Sequence, residues 1–143
     1  MKPPRYTAVA IVRVDGKFVL QHRDDKPTIP FPGHWSLFGG EIDPGENAYQ
    51  AIRREIHEEL GILRDDWELV WRVHHYNPER EYDVHVNVFT ADVTQDWPNH
   101  ALTEGQGLGL FTMDTLPSPM PVVTVALLER YSAAPRKAQD GRP

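Results

Sequence analysis

The sequence predicts an α/β fold in which a mixed β-sheet is layered with helices, and three features of its patterning carry that reading. Segments 5–14, 17–23, 67–76 and 80–93 have the apolar content and alternation of strands. A segment with helical period, 48–60, interrupts them, and a second one, 121–131, closes the series. Strands separated by helices in this order bury their apolar faces best as a sheet covered by helices.

Taken in order, "RYTAVAIVRV" (5–14) and "KFVLQHR" (17–23) read as two strands joined at Asp15 and Gly16, a strong short hairpin signal. Residues 24–34 contain Pro27, Pro30 and Pro32, which exclude regular structure and predict a stiff loop before a short strand at "WSLF" (35–38). Asn47 can cap a helix over about 48 to 60, with Gln50 in the capping-box position and Gly61 as the stop. The segments 67–76 and 80–93 predict an antiparallel pair, the second with Tyr82, Val84, Val86 and Val88 on one face and Asp83, His85 and Asn87 on the other. "GLGLF" (107–111) predicts a short strand, and 121–131 a helix opened by Pro121. Residues 1–132 are read as one domain and 133–143, with little to bury, as a disordered tail.

Composition narrows the function. A net charge of -6 argues against a broad electrostatic footprint for duplex nucleic acid. No apolar run approaches the roughly 20 residues that span a bilayer, so no membrane partner is expected. With no cysteine there is no disulfide, no thiolate nucleophile and no cysteine-ligated zinc, which agrees with an expected cytoplasmic location. A polyanionic ligand would then need a metal ion or a local basic cluster.

The helix over 48–60 poses a physical question. With about 100° per residue and Glu55 at zero, Glu58 falls near -60° and Glu59 near +40°, so three like charges share one arc at a cost of a few tenths of a kcal/mol per close pair. Tyr49, Ile52, Ile56 and Leu60 take the adjacent arc and make a core face beside it, while Ala48 and Ala51 keep the acidic arc free of bulk. Oxygen ligands converging beside a core, with space left for water and phosphate, suit a hard divalent cation. A solvated acidic face is the alternative that most charge runs represent.

The surrounding residues favour the cation. Gly40, Glu46, Arg54, Glu55, Ile56, Glu58, Glu59, Gly61 and Ile62 occupy the nine fixed positions of the pattern Gx5Ex7REUxEExGU, U being a bulky aliphatic residue. On these positions the chain resembles the Nudix hydrolases, and the resemblance implies an α/β/α sandwich with a mixed β-sheet between helices. It also implies hydrolysis of a pyrophosphate bond in a nucleoside diphosphate linked to some group X, with Mg²⁺ or Mn²⁺ as cofactor. The chemistry agrees: water attacks an already anionic phosphorus slowly unless cations neutralise the oxygens and acidify the water.

Carried over by position, Glu55, Glu58 and Glu59 are the expected metal ligands, joined by a backbone carbonyl of Gly39 or Gly40. Arg54 and Glu46 are expected to brace the loop and orient the catalytic carboxylate. The general base is left between Glu55, Glu59 and Glu104, the last in "TEGQGLGLF", which resembles a metal-approaching segment of MutT-type members. Arg23 stands where MutT-type proteins direct an arginine at substrate phosphates, and a surface arginine at a strand end is its alternative.

Phe31, Trp35 and Tyr82 are candidates for stacking on a base, with core packing as the commoner fate. His74, His75 and His85 lack the partners of a zinc site. Pro119 stands where oxidised-guanine specialists carry a base-reading asparagine, which argues against that specialisation. Nor does the expected ADP-ribose-type proline follow the motif, so X is left open. The competing readings are a catalytically silent Nudix-fold binding or regulatory module, disfavoured by the intact motif, and an isomerase of the same fold, disfavoured by the missing cysteine. Monomer and homodimer are both open.

Overall fold

A computed structural model describes residues 2–103 and 105–134. Among these the chain forms strands β1 (Arg5–Val14), β2 (Lys17–His22), β3 (Trp35–Ser36), β4 (Phe38–Glu41), β5 (Glu68–Asn77), β6 (Tyr82–Asp92) and β7 (Gly107–Phe111), with helices α1 (Ala48–Leu60) and α2 (Val122–Ala133). Short 3-10 turns at Trp97–Asn99 and Met113–Thr115 complete the described elements.

The sheet is mixed, in the order β3-β2-β1-β6-β5, with β7 beside β2 and β4 beside β1. Only the central β1·β6 pair is parallel; the other pairs are antiparallel. Alternation along β1 divides the core in two. Ala8, Ala10, Val12 and Val14 face α1, where they pack with Ala51, Ile52, Ile56 and Leu60. Ile11 faces the opposite way and packs with Val84, Val86 and Val88 of β6 and with Leu127, Leu128 and Tyr131 of α2. The expected sandwich of a mixed sheet between helices is therefore the observed architecture.

Local signals placed most elements. Asp15 (φ 50°) and Gly16 (φ 76°) both take the left-handed conformation that a two-residue hairpin turn requires. Asn47 and Gln50 close the capping box at 2.8 and 2.9 Å, and Gly61 ends α1 at φ 69°. Three expectations are corrected. "WSLF" is two strands rather than one: it pairs with β2 through Ser36, then passes to β1 from Phe38 and runs on through both glycines to Glu41. The strand expected over 17–23 ends at His22. Helix α2 continues through Ala133, past the domain boundary placed at residue 132; residues 135–143 of the expected tail lie outside the described residues. No helix among the described residues is long and apolar enough to cross a membrane.

Candidate active site

The site is organised by the two glycines of β4. Gly39 has φ 142°, and a Cβ there would stand 2.1 Å from the Ala8 carbonyl oxygen, so a side chain is excluded. A Cβ on Gly40 would lie 1.9 Å from Glu55 Oε2. The Glu55 carboxylate thus fills the space that a side chain at position 40 would need. Glu59, only 4% exposed, accepts a hydrogen bond from the Gly39 N–H at 3.0 Å. Both carboxylates and both glycines line one cavity of about 950 Å³.

Glu58 does not join the pair. Its carboxylate accepts from Arg54 Nη1 at 3.1 Å, and its side chain is 57% exposed. Helical spacing put the three carboxylates on one arc, but Arg54 lies one turn earlier and captures the outermost of them. Among the described residues no three His, Asp or Glu side chains are grouped closely enough to hold a metal ion. Ala51, expected only to relieve crowding on the acidic arc, is fully buried in the α1 core, and so is nearly all of Glu59. The acidic and apolar faces of α1 therefore overlap.

The donor set nonetheless fits a hard divalent cation. Glu55 and Glu59 are little exposed, all their donor atoms are oxygen, and the peptide groups of Gly39 and Gly40 stand beside them without side chains in the way.

Arg54 holds the motif together. Its fork donates to Glu46 twice, Nε to Oε2 at 2.8 Å and Nη2 to Oε1 at 2.9 Å, and Nη2 also donates to the Glu41 carbonyl at 3.2 Å. The Asp43 N–H donates to Glu46 Oε1 at 2.9 Å. These bonds, the Arg54 pair foremost, hold the Glu46 carboxyl down to about 2, and the same pairing raises Arg54. Arg54 therefore ties the loop after β4 to the middle of α1, the bracing geometry expected of this pair.

The loop before β7 covers the end of α1. The Ala101 and Thr103 N–H groups donate to the carbonyls of Leu60 (2.9 Å) and Glu59 (3.1 Å), satisfying acceptors that the helix leaves unpaired. Thr103 and Gly105 line the cavity. Glu104, the predicted alternative base and metal neighbour, lies outside the described residues.

Arg23, one residue beyond β2, also lines the cavity, and its Nε donates to the Pro30 carbonyl at 3.0 Å. The proline loop is held from the far side as well, by Arg80 Nη2 on the Pro27 carbonyl at 3.1 Å. Arg23, Lys26 and Arg80 give that wall positive charge facing a site of carboxylates. Of the three aromatic candidates, Phe31 lines the cavity. Trp35 stacks on His22 at 4.7 Å, and Tyr82 lies under Arg5. His74 stacks on His85 and pairs with Asp83 at 3.2 Å. Sequence reasoning did not single out Asn77, Arg80 or Thr124, which also line the cavity. Their only sequence signal was a polar residue at a strand or helix end.

Comparison with known proteins places these features in one family. The NUDIX domain family model matches residues 2–130. The MutT NUDIX hydrolase from Burkholderia pseudomallei superposes with a TM-score of 0.71 at 30% identity, covering 90% of this chain and 98% of that one. The MutT protein from Methanosarcina mazei Go1 shares the fold, with a TM-score of 0.78 at 24% identity over 92% of this chain and 94% of that one. Among curated relatives, the nucleoside triphosphatase NudI of Salmonella arizonae is 45% identical over 58 residues, which is 38% of this chain and 40% of that protein. The chain thus spans well under two thirds of the curated relative's length.

Proposed function

The chain belongs to the Nudix family, and from that premise we propose that it hydrolyses a pyrophosphate bond in a nucleoside diphosphate linked to a further group X, with Mg²⁺, or Mn²⁺, as cofactor. One observation supports this most: the two side-chain-free residues of β4, against which two largely buried carboxylates rest at the wall of a cavity that also carries Arg23, Lys26 and Arg80. Such an arrangement joins oxygen ligands for cations to positive charge for phosphates.

The cation would be held by Glu55, Glu59 and a carbonyl of Gly39 or Gly40, with Glu58 released from Arg54 to join them and Glu104 as a further ligand. When bound it supplies charge neutralisation at the phosphate oxygens and a more acidic water. The chain's own groups do the rest. A carboxylate, Glu55, Glu59 or Glu104, accepts the proton of the attacking water as its oxygen bonds to phosphorus and the bridging oxygen leaves with the other phosphate. Arg54 and Glu46 keep the loop and α1 in register. Arg23 donates to the phosphates once its hold on Pro30 is exchanged for substrate.

The test is release of phosphate or pyrophosphate from a panel of nucleoside diphosphate derivatives, with and without Mg²⁺, beside Glu58→Gln. Cleavage that requires the cation and falls strongly in the variant is expected. Tight binding of a nucleotide without cleavage of any compound would replace this reading with a binding module.

A further inference from the structure

The cavity extends well beyond the carboxylates. Gly40 pairs with Ala8, Ala8 with Asn87 and Asn87 with Arg72, while Asn77 lies five residues further along β5. At standard strand spacings the two ends are at most about 20 Å apart. The far end has an apolar lining, Val84, Val86 and Leu127, into which two polar residues are set. These are Asn77 at the end of β5, 6% exposed, and Thr124 in the first turn of α2, 7% exposed.

Both have unused hydrogen-bonding capacity. Asn77 Oδ1 accepts from the Arg80 N–H at 3.1 Å, and that bond fixes which end of the amide is oxygen. Its Nδ2 has no protein partner among the described residues, and neither does the Thr124 hydroxyl. Yet the only fully sealed side-chain polar atom without a partner among the described residues is Trp67 Nε1. The free ends of Asn77 and Thr124 are therefore reached from outside, and the cavity both residues line is the route. A nearly buried amide and hydroxyl left open in an apolar pocket are costly unless a ligand completes them.

We infer that this far end seats the nucleobase of the substrate, and that Asn77 and Thr124 read its edge, selecting a base with an oxo group. A flat heterocycle fits apolar walls with polar groups at its rim. The Asn77 Nδ2 offers only donors, so it meets a carbonyl acceptor on guanine or uracil and opposes the amino group of adenine, while the Thr124 hydroxyl can donate or accept. The inference rests on the pyrophosphohydrolase reading for its substrate class, but not on turnover.

The test is calorimetric binding of α,β-methylene triphosphate analogues of guanosine, uridine and adenosine to the full chain with Mg²⁺. The expected preference for an oxo-bearing base over adenine is roughly tenfold. Asn77→Asp keeps the acceptor for Arg80 and replaces the free donor by an acceptor; it should abolish that preference or turn it towards adenine. Thr124→Val should weaken the favoured base roughly fivefold, with Thr124→Ser restoring it, and neither variant should move the affinity for pyrophosphate. Equal affinity of wild type for all three analogues would overturn the inference. So would variants that weaken every nucleotide and pyrophosphate alike, which is the mark of a structural role. Analogue binding with the expected preference, but no cleavage of hydrolysable nucleotides, would support base reading and remove the hydrolase reading.

Discussion

At the scale of single residues, position 40 has the least freedom of any in the site. Alanine there would place a methyl carbon 1.9 Å from Glu55 Oε2, and only the carboxylate can give way, because β4 is pinned to β1 on its other side. Gly40→Ala is therefore expected to fold while losing kcat on the order of a hundredfold, the usual effect of moving a catalytic group by an ångström. Circular dichroism with initial rates checks this, and near wild-type kcat would show that Glu55 is not at the reacting centre. Arg54 carries a different kind of prediction. Arg54→Lys keeps the charge but loses the fork on Glu46, and should cost about 1–2 kcal/mol of stability at neutral pH. Glu46 has its carboxyl depressed to about 2 from 4.5, so its contribution is complete above about pH 4.5 and is lost as pH falls towards 2. The stability gap between wild type and Arg54→Lys should accordingly narrow over that interval, as urea melts at pH 6 and pH 3 would read; a gap independent of pH would contradict the assignment.

At the scale of elements, α1 shows what local sequence can and cannot specify. Its limits were legible because Asn47, Gln50 and Gly61 satisfy backbone groups within their own neighbourhood, and no distant contact decides them. Asn47→Ala should therefore cost about 1 kcal/mol and lower Tm by about 3 °C without touching KM; a fall in KM or kcat instead would mean that the cap positions the carboxylates directly. The β1–β2 turn was legible for the same reason, since Asp15 and Gly16 favour the turn by themselves. The break at Leu37 was not. Whether β3 and β4 are one strand depends on the edge of β1, which is shared between β2 and β4, and glycine reads locally as a strand terminator although here it is a strand residue. The direction of Glu58 was hidden in a similar way. A helical wheel fixes where a side chain starts, but the pairing with Arg54 decides where it ends. Asn77 and Thr124 were the hardest to find, because what marks them is an unfilled valence inside a cavity made by elements far apart in the chain.

At the scale of the whole molecule, the two faces of the sheet have separate tasks. The α1 face supplies carboxylates through β4, the α2 face supplies the apolar far end of the cavity, and the proline loop, held by Arg23 and Arg80, bridges the two. Without a cation, the crowding of Glu55, Glu58 and Glu59 is relieved only by Arg54 and the Gly39 N–H. A cation that binds the folded chain and not the unfolded one must then stabilise the whole domain, by about 2.7 kcal/mol at a hundred times its Kd. For a chain of this size that corresponds to a rise in Tm of about 5–10 °C. Mg²⁺ should produce this rise in wild type at constant ionic strength, and Glu59→Gln should lose most of it, whereas Glu79→Gln, at the β5–β6 turn and outside the residues lining the cavity, should keep it. Differential scanning calorimetry resolves a shift of that size. Equal shifts in all three proteins would mean that Mg²⁺ acts as a general electrolyte on an acidic surface, and that the crowded helix is balanced by Arg54 alone.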